Sequence, residues 1–343
     1  MRTLFLMSAL GLSLAPANLD TEYKAGVGRK ITIESSLHME NETTIERDGE
    51  SSPGMGGSSD TENTEVHVDQ IVEAEGDKPT KVRRHFVELG GKMSTEMGEN
   101  SSEADVESPW NGVTVELTAD EAGKVLAEVV EGTEPDGEGA LDGHAIGLFL
   151  DGFLPSKAVE EGDEWEIESA AIVRGLRLDV ERKLFPPPPR PERGGGGGGG
   201  GGRRGARGGS SGESPLAQSE WTGTGKLGAT EEKNGVACVV IALVLETSGE
   251  REIEAMGGRG PRALNAPFDN RRLWSAKLEG KLWFDMAAKQ PVALEVEGTY
   301  KSEMHREFER EGSTTKMDST GEGKLEIRVE VETQPAEPAK PAK

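Results

Sequence analysis

The chain has 343 residues, 34% of them hydrophobic and only 4% aromatic, with 47 glycines. A core is therefore confined to patterned segments, and one large domain suits the length as well as two once low-complexity stretches are set aside. The 39 Lys and Arg against 63 Asp and Glu leave a formal charge of −24, which repels a phosphate backbone and argues against general nucleic-acid binding.

At the amino terminus Arg2 precedes an apolar run over residues 4–14, and Ala15-Pro16-Ala17 follows as a small-x-small cleavage pattern. The run is too short to span a bilayer comfortably. This predicts a secretory signal peptide over residues 1–17, marked by Ala15 and Ala17 and removed after Ala17. The mature chain then belongs in the periplasm or outside the cell and does not span a membrane. Cys238 is the only cysteine, so no internal disulfide forms and no N-terminal lipid attaches through a thiol. Its place among Val236, Val239, Val240, Ile241 and Leu245 predicts a buried small hydrophobe, not a reactive group.

Ile31, Ile33, Leu37 and Met39 alternate with polar neighbours as one long half-buried strand. Residues 48–63, rich in Gly, Ser and Glu, read as a disordered or mobile loop. Residues 64–74 and 80–89 resume the alternation around Glu75-Gly76-Asp77-Lys78-Pro79, a hairpin with a loop of about five residues. Residues 91–107 are a polar strand at best. Val113, Val115 and Leu117 restart the period of two, and residues 125–130 add a short strand.

The stretch 140–167 differs from its surroundings. Ala140, His144, Ile146 and Leu148 to Leu150 place an apolar stripe along about three helical turns. Pro155 stops the helix, Gly162-Asp163 turns the chain, and Trp165 and Ile167 begin a strand. Two strands parted near Gly175 are expected over residues 166–184. The composition then changes to a Pro/Gly/Arg-rich insert over 185–219, expected to be disordered. Between Arg182 and Arg207 there are seven Lys or Arg against one Glu, while the rest of the chain carries 62 acids against 32 bases. Arg190, Arg193, Arg203, Arg204 and Arg207 form this basic arm. An anionic envelope polymer is its candidate partner; nucleic acid is not, because no aromatic residue interleaves the arginines. Residues 236–245, apolar on both faces, belong mid-sheet. A hairpin over 273–296 and a strand over 323–331 follow, and the Pro-Ala-Lys tail, 334–343, is expected to be disordered.

Chemistry finds little support. His38, His67, His85, His144 and His305 form no ligand spacing, so no metal or other cofactor is expected. No G-x-S-x-G elbow is present, and the carboxylates are too numerous for any one pair to single out acid/base catalysis. No catalytic residue is assigned. A curved sheet covered by a helix leaves an apolar hollow between layers in other β architectures. Phe149, Phe153, Leu154, Trp165, Trp283 and Phe284 are the candidate lining of such a ligand pocket.

Leu154-Pro-Ser-Lys-Ala-Val159-Glu-Glu-Gly162-Asp163-Glu-Trp165 resembles the LP-x-x-x-V-x-x-GD-x-W signature of a family of secreted bacterial β-rich proteins with no assigned activity. The late hairpin, Gly280 to Asp285 and Pro291 to Gly298, is similar in pattern to periplasmic lipoprotein-carrier half-barrels. The Pro/Gly/Arg insert interrupts the first resemblance, and neither supplies catalytic residues. The expected fold is mainly β: a large curved antiparallel sheet or half-barrel with one short helix packed against it, in a single domain over 18–333. The expected function is an exported, soluble, non-catalytic cell-envelope module for a hydrophobic or lipid-like ligand. A scaffold working through the arm and tail is the alternative, and an enzyme with a carboxylate site a third.

Overall fold

A computed structural model describes residues 16–52, 56–76, 78–120, 123–136, 139–186, 214–252, 270–310 and 313–334. They form one open, curved antiparallel sheet of 13 strands. Its main path runs β7 (Val125–Glu131), β6 (Thr114–Ala119), β4 (Lys78–Met97), β3 (Gly56–Glu75), β1 (Gly28–Arg47), β13 (Ser313–Gln334), β12 (Gln290–Arg310), β11 (Arg271–Asp285), β10 (Val236–Glu252), β9 (Trp221–Lys233) and β8 (Glu164–Ile167). Off this path, β2 (Glu50–Ser52) pairs with β1, and β5 (Asn100–Glu107) with β4 beyond the end of β6. In the middle of the sheet β1 pairs with β13, with Ile31 opposite Val331 and Leu37 opposite Leu325.

Side chains of a strand alternate between faces, so this register fixes one inner face. Ile31, Ile33, Ile327, Val329, Leu294, Leu282, Ile241 and Leu245 share it and are buried. The outer face is charged. Lys324 Nζ lies 2.7 Å from Glu297, Lys301 2.8 Å from Glu322 and Lys281 3.0 Å from Glu231, exposed pairs worth little singly. The exception is an outer cluster of Cys238, Val240, Trp283 and Ala293. Lys233 Nζ sits 4.4 Å from the Trp283 ring centroid, roofing this cluster with its aliphatic stem. Cys238 is fully buried there, and burial raises its thiol pKa, as an inert packing residue requires.

A second layer lies on the inner face, and its local structure departs from the sequence expectation. Residues 140–154 do not form a three-turn helix; only Phe149–Phe153 is helical, as a 3-10 turn. Gly143 at φ +87° is left-handed, which breaks a right-handed helix at that point. Residues 166–184 are not two strands. After β8 the chain forms helices α1 (Ser169–Gly175) and α2 (Glu181–Leu184). Ser169-Ala170-Ala171 favours a helix, and Ile172 and Leu176, four apart, both reach the core. The expected loop over 48–63 is also corrected: residues 56–63 are strand, because β1 and β4 flank them and satisfy their backbone. The hairpin strands also run further than expected, β3 to Glu75 and β4 from Lys78. Residues 1–15 of the expected signal peptide, most of the expected insert (187–213) and the tail from 335 lie outside the described residues.

The signature stretch staples the layer to the sheet edge. Leu154-Pro155 ends the 3-10 turn, and Val159 exchanges two backbone hydrogen bonds with Ala17, at 2.8 and 3.0 Å. Gly162, at φ +96°, donates to Leu227 O, and Asp163 Oδ2 accepts from Glu160 N. Trp165 Nε1 donates to Phe153 O at 3.0 Å, and its ring lies on Gly225, where an added Cβ would stand 2.6 Å from it. Gly225→Val therefore displaces Trp165, and urea unfolding is expected to show a loss of about 1–3 kcal/mol with a red-shifted tryptophan emission.

Candidate functional site

On β3 the polarity is inverted. Glu65, His67 and Asp69, 3%, 0% and 5% exposed, face inward, while Val66 and Val68 face out half-buried. Buried carboxylates demand partners. Arg84 of β4 donates from Nε and Nη2 to the two oxygens of Asp69, both at 2.7 Å. Arg177 Nη2 donates to both oxygens of Glu65, at 2.7 and 3.1 Å. Arg177 stands between α1 and α2 at φ +60°, a conformation a non-glycine residue adopts at a cost. Its guanidinium also lies 5.2 Å from the Phe149 ring centroid, so one side chain ties β3 to the 3-10 turn.

His67 sits between the acids. Its Nδ1 is 2.9 Å from Glu65 Oε1, and its Nε2 is 3.9 Å from Asp69 Oδ1. His144, 5% exposed, stacks edge-on to Trp110 with centroids 5.2 Å apart, and neither of its ring nitrogens has a partner. Burial, reinforced by Arg84 and Arg177, lowers the His144 pKa to about 3. Burial and then Arg84 also lower that of His67, so both rings are neutral at pH 7. For Glu65, burial is the largest influence and pushes the pKa up, but the charges and hydrogen bonds of Arg177 and His67 together outweigh it and hold the carboxyl well below its usual range. For Asp69 burial again raises the pKa most, and the charge and hydrogen bonds of Arg84, with His67 and Arg177, together lower it below its usual range.

The row thus holds two ionised carboxylates, two arginines and two neutral imidazoles. An adjoining cavity of about 30 Å³, lined by Asn63, Glu65, Arg177 and Glu181, has room for a water and none for a substrate. Its chemistry is charge compensation between the sheet and the layer above it. Among the described residues no group of three or more His, Cys, Asp or Glu is arranged to hold a metal ion.

A second cluster ties down the strap of residues 16–27. Thr21 Oγ1 donates to Asp151 Oδ1 at 2.6 Å, Tyr23 Oη donates to Asp151 Oδ2, and Leu148 N donates to Tyr23 Oη at 2.6 Å. Burial raises the Asp151 pKa to about 6 despite these donors.

A hollow of about 270 Å³ opens beside the first cluster, where the second layer ends. Leu37, Met93, Val106, Phe185 and Leu325 supply its apolar wall, and Ser35, Thr61, Asn63 and Glu181 its polar floor. Beyond it the long strands continue, and the inner-facing Met97 and Ile45 are 48% and 40% exposed. A wider, open depression of about 490 Å³ lies by β8–β10, lined by Glu166, Thr222, Thr224 and Glu246 together with Ile167, Trp221 and Val244.

The six pocket residues expected from the sequence do not converge on one space. Phe149, Phe153 and Phe284 fill the core, with Leu154 and Trp165 packed against it, and Trp283 is in the outer cluster. The basic-arm arginines, Arg190, Arg193, Arg203, Arg204 and Arg207, and the cleavage-site Ala15 lie outside the described residues. Sequence reading missed Glu65, Asp69, Arg84 and Arg177. The available signal was a period-two row of ionisable residues, Glu65, His67 and Asp69, alternating with Val66 and Val68.

No family model and no curated protein matches the chain. One solved structure, titled "Lipid-protein interactions in lipovitellin", aligns with 94% of this chain at 10% identity and a TM-score of 0.36. The chain spans 27% of that chain's length, and a likeness at this level identifies neither fold nor ligand.

Arg84→Met leaves Asp69 charged and unpaired in the interior, and urea unfolding is expected to show a loss of about 3–5 kcal/mol. Adding Asp69→Leu to Arg84→Met recovers most of it. Because the Asp151 pKa is higher in the fold than its ordinary 3.8, its stabilisation is complete below pH 4 and is lost as pH rises through about 6. Asp151→Asn is expected to flatten that part of the stability profile, about 2–3 kcal/mol of it, in denaturation series at pH 4, 5, 6 and 7.

Proposed function

We propose that this chain is an exported, non-catalytic cell-envelope module that holds a hydrophobic or lipid-like ligand against the uncovered inner half of its sheet. One observation carries this reading. The inner face continues past the second layer as an apolar surface of Leu37, Met93, Val106 and Leu325, and a hollow of about 270 Å³ lies at the step. That volume approaches the lower end of small-molecule sites, about 300–1,000 Å³. Methionines at Met39, Met93, Met97, Met304 and Met317 share this face by register, and such flexible side chains suit a surface that adapts to what it covers.

Support for export comes from the amino-terminal sequence alone, Arg2 with the apolar run and Ala15-Pro16-Ala17. Membership of the secreted family with the LP-x-x-x-V-x-x-GD-x-W signature is part of the same proposal, and rests on that motif. The expected space under the helix is filled by Phe149 and Phe153, so the ligand surface lies beside the covered region and not beneath it.

Native mass spectrometry of the full chain expressed in a bacterial host is expected to show co-purified lipid at a stoichiometry near one. Met93→Lys, which puts a charge into the hollow, is expected to lower the bound fraction at least tenfold with unchanged thermal stability. A wild-type protein free of lipid that also fails to take up added monoacyl lipid overturns the reading.

A further inference from the structure

The polar floor of the hollow has a sign. Asn63 is 7% exposed, and its Nδ2 donates to Glu181 Oε1 at 3.2 Å, which fixes the orientation of the amide. Its Oδ1 is a buried acceptor with no donor. That oxygen lies against Gly91, where an added Cβ would stand 2.5 Å from it, on the β4 side of the hollow near Met93 and Val106. An unpaired buried acceptor costs about 1–3 kcal/mol and marks a place for a donor. Glu181 Oε1, which accepts from Asn63 Nδ2, contributes a second acceptor to the same floor. The adjacent cation, Arg177, is already committed to both oxygens of Glu65. Arg182 lines the hollow as well, but it is exposed and its charge acts on Glu181.

We infer that the ligand is a single-chain amphiphile whose polar end donates hydrogen bonds to Asn63 and Glu181 and carries no negative charge, a hydroxyl-headed monoacyl lipid in preference to a free fatty acid or a phosphate-headed one. The acyl chain lies along Leu37, Met93, Val106, Phe185 and Leu325. A carboxylate or phosphate head brings only acceptors to Asn63 Oδ1 and Glu181, where a hydroxyl head brings donors and can also pair with the Ser35 and Thr61 hydroxyls, and a charged head meets a body of charge −24. This inference rests on the proposed ligand-binding function.

The test is calorimetric titration of the full-length chain at pH 7 with monolauroylglycerol, sodium laurate and lauryl phosphate, each below its micellar concentration. Monolauroylglycerol is expected to bind at least tenfold more tightly than the other two. Asn63→Leu is expected to bring the three within threefold of one another, and Glu181→Leu, on a separate element, provides the same readout if Asn63→Leu fails to fold. Binding of laurate or lauryl phosphate as tightly as monolauroylglycerol overturns the inference while leaving the ligand-binding function standing. Persistence of the tenfold preference in folded Asn63→Leu or Glu181→Leu also overturns it. Absence of binding by all three probes removes the function itself.

Discussion

The structure depends on the charge compensation across β3. Three ionisable side chains, Glu65, His67 and Asp69, occupy the buried inner face, where the core is otherwise mostly hydrocarbon, and two arginines from different elements neutralise the acids. A buried ion pair adds little net stability over a hydrophobic replacement, because desolvation consumes most of the attraction. What it adds here is selectivity. A one-residue slip of β3 would bury Val66 and Val68 and leave Arg84 and Arg177 without acids, so only one register satisfies both guanidinium groups. The Arg177–Glu65 pair also locates the second layer, since Arg177 lies between its two helices and holds a left-handed backbone to reach β3.

From that anchor the layer divides the inner face. On one side the 3-10 turn, α1 and the strap of residues 16–27 close the core with Phe149, Phe153, Ile172 and Leu19, all buried. On the other side the strands run on, β1, β3 and β4 each 20 residues long, and their inner faces carry methionine, small residues and scattered aliphatics. The transition falls at Asn63 and Glu181, so the polar groups that end the covered region are also the floor of the hollow. The hollow and the fold anchor are thus adjacent stretches of one strand. A ligand seated there would press on the same segment that carries Glu65.

Much of this architecture was legible in the sequence because a half-buried antiparallel sheet writes a period of two. The strands at Ile31, Val115, Trp165, Leu282, Val296 and Ile327 all carry it, and the sequence of 236–245, apolar on both faces, places β10 between two neighbours, as observed. The second layer was not legible in the same way. Gly143 and Gly152 interrupt a segment whose apolar spacing suits a helix, and the two helices after β8 are each too short to show periodicity. Residues 56–63 have weak strand preferences and become strand through their neighbours. The buried row was hidden for the opposite reason: its alternation is regular, but polarity suggested the wrong face. Hydrophobicity places Val66 and Val68 inside, and only Arg84 and Arg177, 15 and 112 residues from their partners in sequence, reverse that.

The lengths of the strands carry one more consequence. Interior strands of about 20 residues extend roughly 65 Å, yet the sheet's free borders are β7 at 7 residues, β5 at 8 and β8 at 4. Each border bears glutamates, Glu128 and Glu131, Glu103 and Glu107, Glu164 and Glu166. An open sheet invites another chain to continue its ladder, and truncated, negatively charged margins withhold the template. Tapering at both flanks keeps so broad a β surface from growing into a fibre.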